Sequence, residues 1–246
     1  MPSPISLTSD DGVARLEWDG EVSTDELRRE VASALTGHSR VEVLVDVDDA
    51  PAQRAATWAG LHREGVRRGL GEDGGQADLV VYARLVTDTP VQEPGGFRAL
   101  LNSFLPRKRA ISQMLVRDPE GRVLLCQLTY KRDWDLPGGV VEVGESPRLA
   151  VQREVEEELG LEIEPGELVL TDWLPPWGGW DDAVCLVFDG GTLAPSVLDT
   201  VVKQEREIRD VRFCTLEEVD ELAADFTARR VRAAVGGAQP YTESGR

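Results

Sequence analysis

Four glutamates fall within the five positions from Glu154 to Glu158, in the stretch Arg153-Glu154-Val155-Glu156-Glu157-Glu158-Leu159-Gly160. If this stretch is helical, like charges three and four residues apart oppose it by about 0.2–0.5 kcal/mol per pair. With Glu154 set to 0° and about 100° per residue, Glu157 lies near −60° and Glu158 near +40°, so three carboxylates share a face. Val155 near 100°, Leu159 near 140° and Leu149 near 220° mark an apolar stripe on the opposite side, and Glu156 stands apart near 200°. A solvated acidic face usually interleaves basic residues at the four-residue spacing, and none is read in that role here. Converging carboxylates are what a hard divalent cation requires, namely several oxygen ligands with room for water and phosphate. A plain solvated face is the alternative.

The elements around this stretch are legible. Ser146 as N-cap and Pro147 at the first helical position predict the helix start, and Gly160 is placed to end it. Upstream, residues 109–130 alternate as a hairpin turning at Asp118 to Gly121, and "WDLPGG" carries Gly138 and Gly139 toward the helix. Strands are expected at residues 167–174, 182–191 and 208–215, with a broken helix from Leu216 to Val235. Residues 236–246 read as a flexible tail. Arg229, Arg230 and Arg232 read as a solvated basic face, with a phosphate contact as the alternative.

Gly139, five residues, Glu145, seven residues, then Arg153-Glu154-Val155-x-Glu157-Glu158-x-Gly160-Leu161 resembles the complete Nudix box. The resemblance covers the box and, by strand order, about residues 106–235. It implies a Nudix α/β/α sandwich with a mixed sheet. It also implies hydrolysis of a nucleoside diphosphate linked to another group, with Mg²⁺ or Mn²⁺ held by Glu154, Glu157 and Glu158 beside Gly139. Glu154 and Glu157 carry over as catalytic residues, and Arg153 with Glu145 as an orienting pair. The general base differs between subfamilies, and Glu205 and Glu207 are the candidates on a later loop. A nucleotide-sensing or regulatory protein on the same fold is the alternative.

One strand past the box, "TDWLPPWGGWDD" holds three of the six tryptophans. Trp173, Trp177 and Trp180 offer flat faces for stacking a nucleobase, or else form a hydrophobic corner or dimer contact. Pro176 stands fifteen positions beyond Leu161, similar to a proline of ADP-ribose-cleaving Nudix enzymes. The substrate class expected is therefore ADP-ribose-like, nucleotide-sugar-like or a nucleoside triphosphate. A homodimer is compatible with the family.

The 246 residues carry a net charge of −18. Such a chain repels nucleic-acid polymers and anionic membranes at long range, while a small anionic substrate can still bind where metal ions or local arginines reverse the charge; the resemblance implies that this partner is a small nucleotide. Cys126, Cys185 and Cys214 are odd in number, widely spaced and set in apolar runs, which predicts reduced core residues and a cytoplasmic protein.

Residues 86–96, with Pro90, Pro94 and Gly95-Gly96, read as a linker, followed by a short helix at 97–106 packed across the junction. The domains expected are 1–88, a linker and short helix at 89–105, 106–235 and the tail. Before the linker the order β-α-β-α-β, with a glycine-rich turn before the last strand, predicts a small α/β unit. Residues 41–85, with Gly60-Leu61-His62-Arg63-Glu64-Gly65, resemble the C-terminal part of a GNAT acetyltransferase. That family's first strands and glycine-rich CoA loop have no counterpart here, and Asp49 stands where asparagine is common. The resemblance implies a partial, non-catalytic module in which His38 and His62 are surface or turn residues. A bifunctional acetyltransferase and Nudix enzyme is the further alternative.

Overall fold

The structure, a computed structural model, describes residues 5–69, 77–237 and 239–246. The glycine-rich turn expected at residues 70–76 lies outside the described residues. The chain divides into two compact units, Met1–Pro106 and Arg107–Arg246.

In the first unit, β1 (Ser6–Asp10), β2 (Val13–Glu17), α1 (Thr24–Ala34), β3 (Arg40–Asp46), α2 (Ala50–Trp58), β4 (His62–Arg67), β5 (Leu79–Leu85) and α3 (Pro94–Phe104) follow in order. The sheet order is β1-β2-β3-β5-β4, with β2 and β3 parallel and the other neighbours antiparallel. Strand β1 escapes the sequence reading because its five residues are all exposed and carry one apolar side chain, Leu7. Helices α1 and α2 cover one sheet face, joining Leu27, Val31 and Ala56 to Leu16, Val41, Val43 and Tyr82. Ser23 caps α1 by accepting from the Glu26 amide, and Asp49 caps α2 by accepting from the Ala52 amide.

The expected linker gives way to helix at its C-terminal end. Pro94 occupies the first turn of α3, where a missing N–H costs nothing, and Gly95 and Gly96 continue the turn. A Cβ at Gly96 would stand 2.1 Å from the Pro90 carbonyl oxygen, so glycine is required by that close approach. Ser103 Oγ accepts from the Arg63 amide at 3.1 Å, tying α3 to β4.

The second unit contains β6 (Arg109–Arg117), β7 (Val123–Leu128), β8 (Trp134–Asp135), β9 (Gly138–Val140), α4 (Pro147–Leu159), β10 (Leu168–Leu174), β11 (Ala183–Thr192), β12 (Ile208–Cys214), α5 (Leu216–Leu222), α6 (Asp225–Gly236) and β13 (Tyr241–Glu243). Its sheet runs β12-β7-β6-β11-β10-β13, with β8 on β7 and β9 on β6. The expected hairpin turns at Asp118, but β6 and β7 pair only at Arg117 and Val123 before they diverge. Into that divergence β8 and β9 insert, which brings the glycine strand beside β6.

Helix α4 covers one sheet face, where Val151, Val155 and Leu159 pack with Met114, Val116, Leu124 and Phe188. Helices α5 and α6 cover the other, where Val219, Val231 and Ala234 pack with Leu115, Leu170, Cys185 and Val187. The result is an α/β/α sandwich with a mixed sheet. All three cysteines are free and buried. Among the described residues no helix is long and apolar enough to cross a membrane.

The flexible tail expected at residues 236–246 is instead structured at its end. Strand β13 runs parallel to β10 with Thr242 opposite Asp172, and Thr242 is 3% exposed. A three-residue strand after glycine and proline carries too little pattern to be read, yet Pro240 O and Trp173 O both accept backbone bonds that anchor it.

Candidate functional site

Helix α4 forms as its caps require. Ser146 accepts from the Leu149 amide, Pro147 opens the first turn, and Gly160 closes the helix in the left-handed region at φ 66°. The buried positions are Ala150, Val151, Val155, Glu158 and Leu159. This corrects the helical wheel. Leu149 is 58% exposed, while Val151, near 60°, and Ala150, near −40°, put the middle of the buried arc within about 20° of Glu158. Glu158 is therefore not on an outward acidic face but turned toward Gly138 at the start of β9, and it is 5% exposed. Glu154 is intermediate and Glu157 faces solvent.

Arg153 is the hub of the cluster. Its Nε and Nη2 donate to both oxygens of Glu145 at 3.0 and 3.2 Å, and Nη1 donates to Glu157 at 3.0 Å. Its Nη2 also lies 3.0 Å from Glu154 Oε1. The basic residue at four-residue spacing that the charge pattern was read as lacking is Arg153 itself, four before Glu157. Glu145 also accepts from the Glu142 amide at 3.2 Å, which fixes the loop ahead of the helix.

The glycine strand closes over these carboxylates. Gly138 N–H donates to Glu158 Oε2 at 3.0 Å. Gly139 lies so near Glu154 that a Cβ would stand 2.5 Å from its Cδ and Oε1. Burial pushes the Glu158 carboxyl up to about 8; the Gly138 N–H opposes this, and Glu154, Glu207 and Asp135 add to it. Burial also raises Glu154, against the pull of Arg153 and with repulsion from Glu157 and Glu207.

Of the two residues read as a later base, Glu207 is brought within electrostatic reach of Glu154 and Glu158. Its loop is stapled to the end of α4, where Val202 N–H and Gln204 N–H donate to the Leu159 and Glu158 carbonyls at 2.8 and 2.9 Å. Glu205 on the same loop is exposed and joins no contact with the cluster among the described residues.

The tryptophans divide. Trp177 and Trp180 exchange backbone hydrogen bonds at 3.1 and 2.9 Å across Gly178-Gly179, both glycines at positive φ, as a two-residue hairpin turn demands. Both rings are 62% exposed. Trp177 meets Phe226 of α6 edge-on at 5.4 Å between centroids, and the Arg109 guanidinium sits 4.7 Å over Trp180. Trp173 is half-buried at the end of β10 and donates to Asp182 at 3.4 Å. Pro176 is exposed.

Arg230 overturns the reading of the terminal helix as a solvated basic face. It is 2% exposed, donating from Nε to Asp172 and from Nη1 to Gln113, both at 2.9 Å. Asp172 also accepts from Thr242 Oγ1 and the Gly245 amide, each at 2.8 Å. Gln113 in turn donates to Asp135 at 2.9 Å. This network and Phe226 were missed by sequence reasoning; the aspartate inside "WDLPGG" was the available signal for one of its members.

The NUDIX domain family model matches residues 106–234, more than half of the chain. The chain belongs to the Nudix family. A MutT-like protein of Streptomyces ambofaciens is 34% identical over 135 residues, which are 55% of this chain and 81% of that relative. A CTP pyrophosphohydrolase of Escherichia coli K12 is 41% identical over 65 residues, 25% of this chain and about half (47%) of that protein. The MutT protein of Methanosarcina mazei Go1 aligns over 56% of this chain and 100% of its own with 24% identity and a TM-score of 0.47. The protein is a Nudix hydrolase, and members of this family act on phosphorus-containing anhydrides.

The family generally uses divalent cations, and the donors present suit one. They are carboxylate oxygens, the chemistry that Mg²⁺ and Mn²⁺ prefer, with a glycine where any Cβ would push Glu154 away. Among the described residues no three such side chains are already arranged for a metal. Arg153 instead holds Glu145, Glu154 and Glu157 around itself.

Proposed function

We propose that the second unit is a Mg²⁺- or Mn²⁺-dependent pyrophosphohydrolase of a small nucleotide, cleaving a nucleoside triphosphate, a nucleotide sugar or an ADP-ribose-like diphosphate by attack of water at phosphorus. The observation that carries this is the closure of the Gly138-Gly139 strand over Glu154 and Glu158, with Arg153 binding the neighbouring carboxylates. Glu154, Glu157 and Glu158 would hold the cation. When bound, it supplies neutralisation of the diphosphate oxygens and acidifies water.

The protein's own residues supply the rest. Arg153, locked by Glu145, keeps Glu154 and Glu157 oriented, so little reorganisation remains when substrate arrives. Glu207 Oε, on the loop stapled to the end of α4, accepts the proton of the attacking water. The Trp177-Trp180 tip, backed by Phe226 and Arg109, offers the stacking surface for the base. Buried free cysteines support a reducing, cytoplasmic setting. A metal-dependent panel of nucleotides with product identification tests the function. Turnover should be metal-dependent, release a nucleoside monophosphate or diphosphate product, and fall at least a thousandfold in Glu157→Gln. Tight nucleotide binding without turnover would favour the sensing alternative.

For the first unit we infer a partial acetyltransferase-like module without activity. Its succession of β3, α2 and the β4-β5 pair after Gly60 supports the likeness, and the absence of a glycine-rich pyrophosphate loop in its sequence supports the loss of CoA binding. Saturable acetyl-CoA binding by the full chain would overturn this.

A further inference from the structure

Where β6 and β7 diverge, residues 135–138 cross the gap between them. Asp135 stands opposite Cys126 of β7, and Gly138 stands opposite Gln113 of β6. The crossing joins the buried network under α6 to the carboxylates on the α4 side of the sheet. Gln113 points to the α6 side, while the adjacent Ser112 turns its hydroxyl the other way, donating to the Pro147 carbonyl of α4 at 2.7 Å.

All four hydrogen-bonding positions of the Gln113 amide are filled. Its Oε1 accepts from Arg230 at 2.9 Å and from the Cys185 thiol at 3.2 Å. Its Nε2 donates to Asp135 at 2.9 Å and to the Leu136 carbonyl at 3.3 Å. A guanidinium only donates, so the amide oxygen must face Arg230 and the amino group must face the crossing. Asp172 fixes that guanidinium in turn. Lys131 Nζ holds the other oxygen of Asp135 at 2.7 Å, and the Leu136 N–H donates to Asp135 Oδ1 at 3.0 Å.

The next peptide group carries this order across the sheet. Pro137 O accepts from the Met114 amide at 3.0 Å, and the Gly138 N–H of the same peptide group donates to Glu158 Oε2 at 3.0 Å. In a planar trans peptide the C=O and N–H point in opposite directions, so holding the oxygen aims the hydrogen. Among the described residues this N–H is the one hydrogen-bond donor to the Glu158 side chain. Two successive peptide groups therefore set where Glu158 stands, the first held by the Gln113 side chain and the second by the Met114 backbone.

We propose, on the reading of the carboxylate cluster as the cation site, that Gln113 is a positioning residue for the hydrolysis. Held by Arg230 from the α6 side, it fixes residues 135–138 and, through the Gly138 N–H, orients Glu158 on the opposite side of the sheet. It touches neither cation nor substrate. Groups that orient a metal-binding side chain in this way are worth about 10–100-fold in metal affinity or activity.

The test uses the full-length protein. Gln113→Glu keeps an acceptor for Arg230 but puts an oxygen where Asp135 and the Leu136 carbonyl need a donor; Gln113→Met removes the amide without adding charge. Each should weaken Mn²⁺ binding measured by calorimetry at least about tenfold. In the metal-free protein, each should speed hydrogen exchange of the Gly138 amide, followed by NMR, at least about tenfold. At saturating metal kcat should fall about tenfold or more while KM stays within about threefold, because Gln113 meets no substrate. Cys185→Ala is the control for general destabilisation: it trims the other neighbour of the amide oxygen and should lower the melting temperature, yet leave Mn²⁺ affinity within about threefold. Wild type needs no variant to fold and should already protect the Gly138 amide at least about a hundredfold. Free exchange there overturns the inference, as does an equal loss of Mn²⁺ affinity in Cys185→Ala. If Glu157→Gln loses Mn²⁺ affinity while both Gln113 variants keep theirs, the inference alone fails. If Glu157→Gln binds Mn²⁺ as wild type does, the reading of the cluster as the cation site fails, and the inference with it.

Discussion

Replacing Gly139 by alanine separates the site from the scaffold. The added Cβ would meet Glu154 Cδ and Oε1 at 2.5 Å and Oε2 at 2.8 Å. Ordinary contact begins near 3.4 Å, so the carboxylate must retreat by about 0.9 Å or swing to another rotamer. Either movement disturbs the 3.0 Å contact with Arg153 Nη2. A displacement of about 1 Å in a group that positions a reaction costs on the order of a hundredfold in rate. We therefore expect Gly139→Ala to lower kcat/KM about a hundredfold and to weaken Mg²⁺ binding measured by calorimetry at least tenfold. The melting temperature should change little, because the obstacle is the end of a side chain. Gly138→Ala is the control: its Cβ would lie 2.2 Å from the Ser112 carbonyl at φ 132°, so it should lower the melting temperature itself. If Gly139→Ala keeps activity within about threefold of wild type, Glu154 does not work from the position described.

Two further outcomes concern stability. Asp172→Asn leaves Arg230 buried without its main counter-charge and should cost about 3 kcal/mol in urea unfolding, while a loss under about 1 kcal/mol would show the pair to be dispensable. Asp118 is buried, which raises its carboxyl, but hydrogen bonds from the Arg122 amide and guanidinium prevail and hold it below the usual carboxylate range. A depressed folded value stabilises above the ordinary aspartate range, and that contribution disappears as pH falls through the folded value. The urea midpoint should thus drop more steeply below pH 4 for wild type than for Asp118→Asn, and parallel curves would refute this.

The box was legible because its chemistry depends on fixed local spacing: Arg153 reaches Glu145, Glu154 and Glu157 across one helix and the loop before it. The wheel failed where it used too few apolar positions, since Val151 and Ala150 turn the buried arc onto Glu158 and leave Leu149 outside. Arg230 was misread for a different reason. Its partner Asp172 is 58 positions away in sequence, and nothing local distinguishes a buried arginine from its exposed neighbours. Pro94-Gly95-Gly96 carries the signals of a break, and the proline serves instead as a helix start. Between Glu205 and Glu207 only the pairing of the loop with the end of α4 discriminates, and that too is tertiary.

The pairing of β13 with β10 also sets a timetable for synthesis. Asp172 waits for Thr242, 70 positions later, before its ring of donors is complete. On a ribosome adding about 5–20 residues per second, that is a delay of several seconds in which β10 carries an incompletely satisfied carboxylate. During that interval the strand that leads into the tryptophan hairpin is an unprotected edge, open to pairing with another nascent chain. The short final strand is therefore a closing stitch, and its loss would endanger yield in the cell before it altered any rate in the test tube.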